Sequence, residues 1–358
     1  MSRAVPIARS HQETIGSSTQ MVRLWLLATA GLVLVMITVG GATRLTGSGL
    51  SITEWQPIMG AIPPLSEAAW LDAFAKYKTI PQYAELNNGM NLDAFKAIFW
   101  WEWGHRLLGR LIGVVFAVPL AWFWLRDQLP ARMKLPLLAL LALGGTQGFI
   151  GWFMVQSGLA ARTTVSEYRL ALHLGIGFLI LGGLVWLTLG LNADRTRAIR
   201  LRTVTQLQAR VAISIAGLVF LQVIAGAFVA GLKAGLTYNT WPLMDGRLIP
   251  AGLGTMSPWY RNIFENITTV QFNHRMIAYV ITVLALVHAV TLVRGADDER
   301  LRSSAMLLIA TVLAQVVLGI WTLLAVVPLP LGLAHQGGAA VLFAIAVRHM
   351  FIVRSGLQ

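Results

Sequence analysis

Eight stretches of about 20 mostly apolar residues run along this 358-residue chain, each long enough to cross a lipid bilayer. They lie at 24–43, 104–125, 135–156, 169–191, 211–232, 273–293, 304–326 and 332–353. In hydrocarbon every backbone N–H and C=O must be satisfied within its own segment, so such stretches can only be helices. Composition agrees: 56% of residues are hydrophobic and 12% charged, where a soluble domain carries roughly twice that charge. The fold class expected is an all-α integral membrane protein with eight transmembrane helices. Residues 1–20 are polar and mixed, and the apolar run after them is too long for a secretory signal core. The reading is a retained first span behind a short disordered tail, with His11 solvated in that tail.

Cysteine is absent, which excludes disulfides, iron–sulfur clusters, Cys-ligated zinc and thiol nucleophiles. The net charge of +13 is not a nucleic-acid signal, because the basic residues gather in short loops between apolar runs. An even number of spans puts both termini on one side. That side carries 16 of the 28 Lys and Arg residues, with the run Arg195, Arg197, Arg200, Arg202 the strongest cluster. Both termini are therefore expected in the cytoplasm.

The chain repeats itself. Gly49-Leu50-Ser51 through Trp55-Gln56-Pro57-Ile58-Met59-Gly60 resembles Gly235-Leu236-Thr237 through Trp241-Pro242-Leu243-Met244-Asp245-Gly246. Glu102-Trp103-Gly104-His105-Arg106 resembles Gln271-Phe272-Asn273-His274-Arg275. Gln147-Gly148-Phe149-Ile150-Gly151 resembles Gln315-Val316-Val317-Leu318-Gly319, and His173 matches His335. The expected organisation is a tail (1–23), a four-helix repeat (24–191), a basic linker (192–210) and a second four-helix repeat (211–358). Both copies start on the same side, which makes a parallel repeat about an axis along the membrane normal. The first copy has the longer outer loop. Within it, Ser66 to Tyr77 reads as a short interfacial helix, and Phe95 to Trp103 as an aromatic belt at headgroup level.

His105, His173, His274 and His335 each lie near the outer end of a span, two per repeat. A histidine within a membrane segment is costly without a partner. Four at matched depth in a duplicated four-helix unit point to axial ligation of two haems, one pair per repeat. Small residues at helical spacing leave room for a flat macrocycle: Gly109 and Gly113, Gly177, Ala278, Gly338 and Ala339. Arg106 and Arg275, each directly after a histidine, are candidate partners for haem propionates. His288 and His349 have no counterparts in the other repeat and are left out of the site.

Glu102 precedes His105 by three residues and shares its helix face. As a carboxylate at an apolar boundary it is the candidate catalytic group, able to accept a proton or stabilise positive charge at the haem edge. An interfacial ion pair with Arg106 is the plainer alternative. Its counterpart Gln271 carries no charge, so the N-terminal pair reads as the reaction site and the C-terminal pair as the electron-transfer site.

The Glu-x-x-His-Arg phrase, the duplicated His-Arg, the single histidines of spans 4 and 8, and Thr43-Arg44-Leu45-Thr46-Gly47-Ser48-Gly49-Leu50-Ser51 together resemble the haem A synthase family. Trp55-Gln56-Pro57 and the Tyr77-Lys78 to Pro81 region resemble its mitochondrial and alphaproteobacterial branch, and the likeness covers about residues 22–355. The resemblance implies oxidation of one methyl of haem O to a formyl group through a hydroxymethyl stage, with the product serving cytochrome oxidase. It implies haem B on His274 and His335, substrate haem O on His105 and His173, and an essential acid at Glu102. It further implies a bacterial inner-membrane location, a haem O synthase upstream and a redox partner. The outer-loop cysteine pairs that some members carry are missing, so a thiol relay is excluded here.

Two other readings fit part of the pattern. A two-haem electron-transfer protein explains the histidines but not the Glu102/Gln271 difference. A transporter or haem carrier predicts polar residues near the midplane, where only Gln147, Gln222 and Gln315 stand out. The exposed apolar faces are equally compatible with lipid and with a homo-oligomer.

Overall fold

Helix caps and apolar length together set the elements of this chain. The structure, a computed structural model, describes residues 6–160, 162–191 and 204–356, with side chains from residue 19 onward. Its long helices are α1 (Pro6–Leu45), α4 (Leu92–Leu125), α5 (Ala131–Leu159), α6 (Glu167–Gly190), α7 (Gln206–Gly231), α9 (Ile267–Gly295), α10 (Glu299–Leu324) and α11 (Leu329–Ser355). These eight are long and apolar enough to cross a membrane. Between them lie the short helices α2 (Glu67–Tyr77), α3 (Pro81–Leu86) and α8 (Arg261–Glu265). Four of the long helices open on side-chain caps that satisfy free N–H groups. Asn91 accepts from Ala94 N, Thr205 forms a capping box with Gln208, Asn266 accepts from Thr268 and Thr269, and Asp298 accepts from Arg300 and Leu301.

Two expectations need correction. The helix of span 1 begins at Pro6, so its backbone is helical in much of the stretch read as a disordered tail. Span 2 begins at Leu92 rather than 104, because the Asn91 cap starts the helix a dozen residues before the apolar run. The aromatic segment 95–103 therefore belongs to this helix and serves two purposes. Phe95 and Phe99 are buried with Leu50, Phe74, Tyr77 and Ile80 in an outer cluster, while Trp100 (45% exposed) and Trp101 (42%) face outward as a belt would. The interfacial helix appears as expected at α2, capped by Ser66, but its Phe74 and Tyr77 point into that cluster. Lys76, between Asp72 and Glu54, ties α2 to the preceding loop (2.8 and 2.9 Å). Those two carboxylates, Asp72 first, hold its ammonium above the usual lysine range.

Helix α1 packs on α4, α6 and α11; α4 on α5; α5 on α6. In the other half α7 packs on α9 and α11, α9 on α10, and α10 on α11. Each set of four closes into a ring, and α1·α11, α6·α7 and α6·α11 join the rings. Exchanging α1, α4, α5, α6 with α7, α9, α10, α11 leaves these adjacencies unchanged, which is compatible with a parallel repeat. At the junction Phe178 meets Phe343 at 5.6 Å, Gln336 Nε2 donates to the Ile37 carbonyl (2.6 Å) and Arg44 donates to the Ala230 carbonyl (3.1 Å). Most of the basic linker, 192–203, lies outside the described residues.

Candidate functional site: two histidine pairs

The rings bring the four matched histidines together as two pairs. His105 on α4 and His173 on α6 are electrostatic neighbours, and so are His274 on α9 and His335 on α11. All four are half-buried. His173 and His335 each follow the first residue of their helix by six positions, about 9 Å of helical rise. The pairs therefore sit near one end of the spans.

Each of three histidines is gripped by a glutamine on the preceding helix of its ring. Gln147 Nε2 donates to the His173 carbonyl (3.0 Å) and lies 3.4 Å from the ring Nε2. Gln222 makes the same pair of contacts with His274 (3.0 and 3.2 Å). Gln315 does so with His335, at 2.7 Å to the carbonyl and 3.2 Å to Nδ1. Four residues after each glutamine comes a glycine against the imidazole. A Cβ at Gly151, Gly226 or Gly319 would stand 2.8–3.1 Å from Cε1 of His173, His274 or His335. Gly40 meets His105 in the same way at 3.1 Å. These glycines on the neighbouring helix, not those on the histidine's own helix, make room for the rings. Gly109, Gly177 and Gly338 instead face Met36, Gln147 and Gln315, and a Cβ at Gly113 would meet nothing within 4 Å. In the sequence Gln147, Gln222 and Gln315 stand out as polar exceptions within the spans, but not as partners of the histidines; the shared Gln-x-x-x-Gly spacing, Gln222 to Gly226 included, is the signal that links them.

Glu102 is buried (2% exposed) and fully engaged. Its Oε2 accepts from Ser51 Oγ and Ile52 N, both at 2.8 Å, and its Oε1 accepts from Arg106 Nη2 at 2.5 Å. Arg106 also donates to the Ile52 and Glu54 carbonyls (2.7 and 3.0 Å). The second half reproduces the arrangement with a neutral amide. Gln271 (3% exposed) accepts from Arg275 Nη2 (3.1 Å) and donates to the Ala234 carbonyl (2.8 Å). Arg275 donates to the Tyr238 and Thr240 carbonyls (2.8 and 2.9 Å). Both arginines thus pin the outer loop to the helix that carries the histidine. Arg275 Nε stays buried without a partner, a free donor for a carboxylate.

The two histidines set aside on sequence grounds also meet. His288 Nε2 and His349 Nε2 are 3.0 Å apart, and His349 Nδ1 is 2.9 Å from Ser304 Oγ, all three buried in the C-terminal ring. With every ring nitrogen of His349 in a hydrogen bond, this trio is a satisfied polar core and not an open site.

The residues fit haem. Nδ1 of His105, His173 and His274 is buried with no hydrogen-bond partner. Two neighbouring imidazoles suit a metal whose remaining ligands come from its own macrocycle. Among the described residues no group of three or more His, Cys, Asp or Glu gathers to hold a bare ion. The fold and site define a multi-pass membrane protein with two histidine-pair centres of unequal polarity. The profile of the COX15-CtaA family, cytochrome oxidase assembly protein, matches residues 23–347, and the chain belongs to that family. It is 51% identical over 330 residues to Heme A synthase of Agrobacterium fabrum, covering 92% of this chain and 89% of that protein. It is 52% identical over 334 residues to Heme A synthase of Azorhizobium caulinodans (93% and 94%) and 49% identical over 330 residues to that of Brucella anthropi (92% and 91%).

Proposed function

We propose that this chain is a haem A synthase, oxidising one methyl of haem O to a formyl group through a hydroxymethyl intermediate and so supplying haem A for cytochrome oxidase. Relatives of that name at 49–52% identity over nine-tenths of the chain support the reaction. One observation carries the assignment of halves: at matched positions of the two sites, Glu102 stands in one and Gln271 in the other. Neutral Gln271 holds Arg275 and the loop without charge, so loop anchoring does not require a carboxylate. The charge at position 102 then has a further use, and the His105/His173 pair is the substrate site.

His105 and His173 would hold the iron of haem O, and His274 and His335 would hold haem B. When bound there, haem B supplies one-electron redox capacity. Glu102 keeps a negative charge at the edge of the substrate site, where positive charge develops as electrons leave the methyl carbon. It also offers an acceptor for the proton released as oxygen is added. Arg106, 2.5 Å from its Oε1, holds the carboxylate in place. The unpaired Nε of Arg275 would be the donor for a propionate of haem B. Electrons leave to a redox partner, and a haem O synthase provides the substrate. The protein resides in the bacterial inner membrane with both termini cytoplasmic, and its two rings are the halves of a parallel repeat joined by the basic linker.

The test is chromatography of haems extracted from a host that makes haem O but no haem A, expressing this chain. The expected result is haem A or its hydroxymethyl precursor. Haems B and O alone, from cells in which the protein is present and haem-loaded and the redox partner is supplied, would contradict the reading.

A further inference from the structure

Three histidines are held by glutamine and the fourth is not. Gly40 abuts the His105 ring as Gly151, Gly226 and Gly319 abut the other three, so the residue four before it, Met36, occupies the glutamine position. A second contact agrees. A Cβ at Gly109, four after His105, would stand 3.2 Å from Met36 Cε, and one at Gly177, four after His173, 3.6 Å from Gln147 Nε2. Met36 thus reaches the place of the amide and brings a thioether. Thioether sulfur donates nothing and accepts weakly. Nδ1 of His105 is buried without a hydrogen-bond partner, as is that of His173 and of His274, so what sets His105 apart is the missing amide.

The consequence follows from ligand chemistry. An imidazole on iron has a second ring nitrogen whose N–H needs an acceptor; that partner fixes the tautomer and raises the ligand's basicity. The amide nitrogens of Gln147, Gln222 and Gln315 stand 3.2–3.4 Å from a ring nitrogen, and Oε1 of Gln147 and of Gln222 is buried and unpaired, so a turn of the amide would offer the acceptor. Met36 gives His105 neither the ring partner nor the clamp on its carbonyl. We infer that Met36 is a positioning residue that leaves His105 the weakly held axial ligand and makes the His105/His173 pair the site where haem exchanges. The glutamine-clamped His274/His335 pair then retains its haem. Free exchange is what a substrate and product site requires, and retention is what a resident cofactor requires.

This inference rests on the proposal that both pairs ligate haem, and the experiment separates the two. The full chain in detergent is loaded with haem B at both sites, and release is followed by transfer to apomyoglobin. His105→Ala must remove one release phase; if it removes none, the ligation proposal itself fails, whatever Met36 does. With that phase identified, Met36→Gln is expected to slow it about tenfold or more, within the range found for partners of metal-bound histidine. The same variant is expected to lower the midpoint potential of that haem, because a more basic imidazole favours ferric iron. Met36→Leu keeps the size without an amide and should release haem as the parent does. The reciprocal Gln222→Met should speed release from His274 and raise that potential. Either amide-exchanging variant, folded and haem-loaded, with unchanged release and potential would overturn the inference. So would Met36→Leu slowing release as much as Met36→Gln.

Discussion

Residue 102 and residue 271 hold the same arginine position and the same loop, one with a charge and one without. That comparison isolates the carboxylate. Glu102→Gln should therefore fold and bind haem as the parent does, since Gln271 already fills this geometry, while haem A formation falls by at least about a hundredfold. Haem content by pyridine haemochrome and product by chromatography check the two halves of that prediction; normal turnover would leave Glu102 as a loop anchor only. His349→Ala makes the opposite split. It strands the buried His288 and Ser304, so it should cost about 1–3 kcal/mol of stability with haem content retained in the folded fraction. Thermal unfolding in detergent measures it. The pairing of His105 with His173 and of His274 with His335 was legible because the matched phrases set them at equal depth. His288 and His349 were not, because they have no counterparts in the first repeat and meet only through the packing of α9 on α11. The glutamine clamps failed to register for a related reason: Gln147 and Gln315 were visible as a repeat, but their purpose is a contact between helices.

At the scale of elements, the apolar runs gave all eight membrane helices but not their true ends. Runs of hydrophobic residues report the part of a helix that lies in lipid, whereas hydrogen bonding continues until a cap stops it. Helix α4 is the clearest case. Asp93, Lys96 and Glu102 break its apolar run, yet the Asn91 cap starts the helix at Leu92 and carries Phe95 and Phe99 under α2. The outer cluster then holds the long first loop over the His105 ring of helices. Phe95 is fully buried and stacks on Phe74 at 5.0 Å. Phe95→Ala should cost about 3–5 kcal/mol and loosen the loop. Faster limited proteolysis at 79–91, with the C-terminal haem undisturbed, is the expected readout.

At the scale of the whole molecule, two four-helix rings share one plan and differ in polarity at a few positions: Glu102 against Gln271, and Met36 against Gln222. Matched phrases suggest the repeat, with which the two rings are compatible, but adjacency of α1 with α11 and of α6 with α7 is a property of packing that no single phrase carries. Orientation is testable with unusual clarity because the chain has no cysteine. Asn88→Cys should react with a membrane-impermeant maleimide in intact spheroplasts, and Asp297→Cys only in inverted vesicles; both positions are exposed. The division of labour is tested most directly by the visible spectra of purified His274→Ala and His105→Ala, each made in cells that produce haem O. The account predicts that His274→Ala loses the resident b-type haem spectrum, while His105→Ala keeps it and yields no haem A. A resident haem that survives His274→Ala unchanged and disappears in His105→Ala would contradict it.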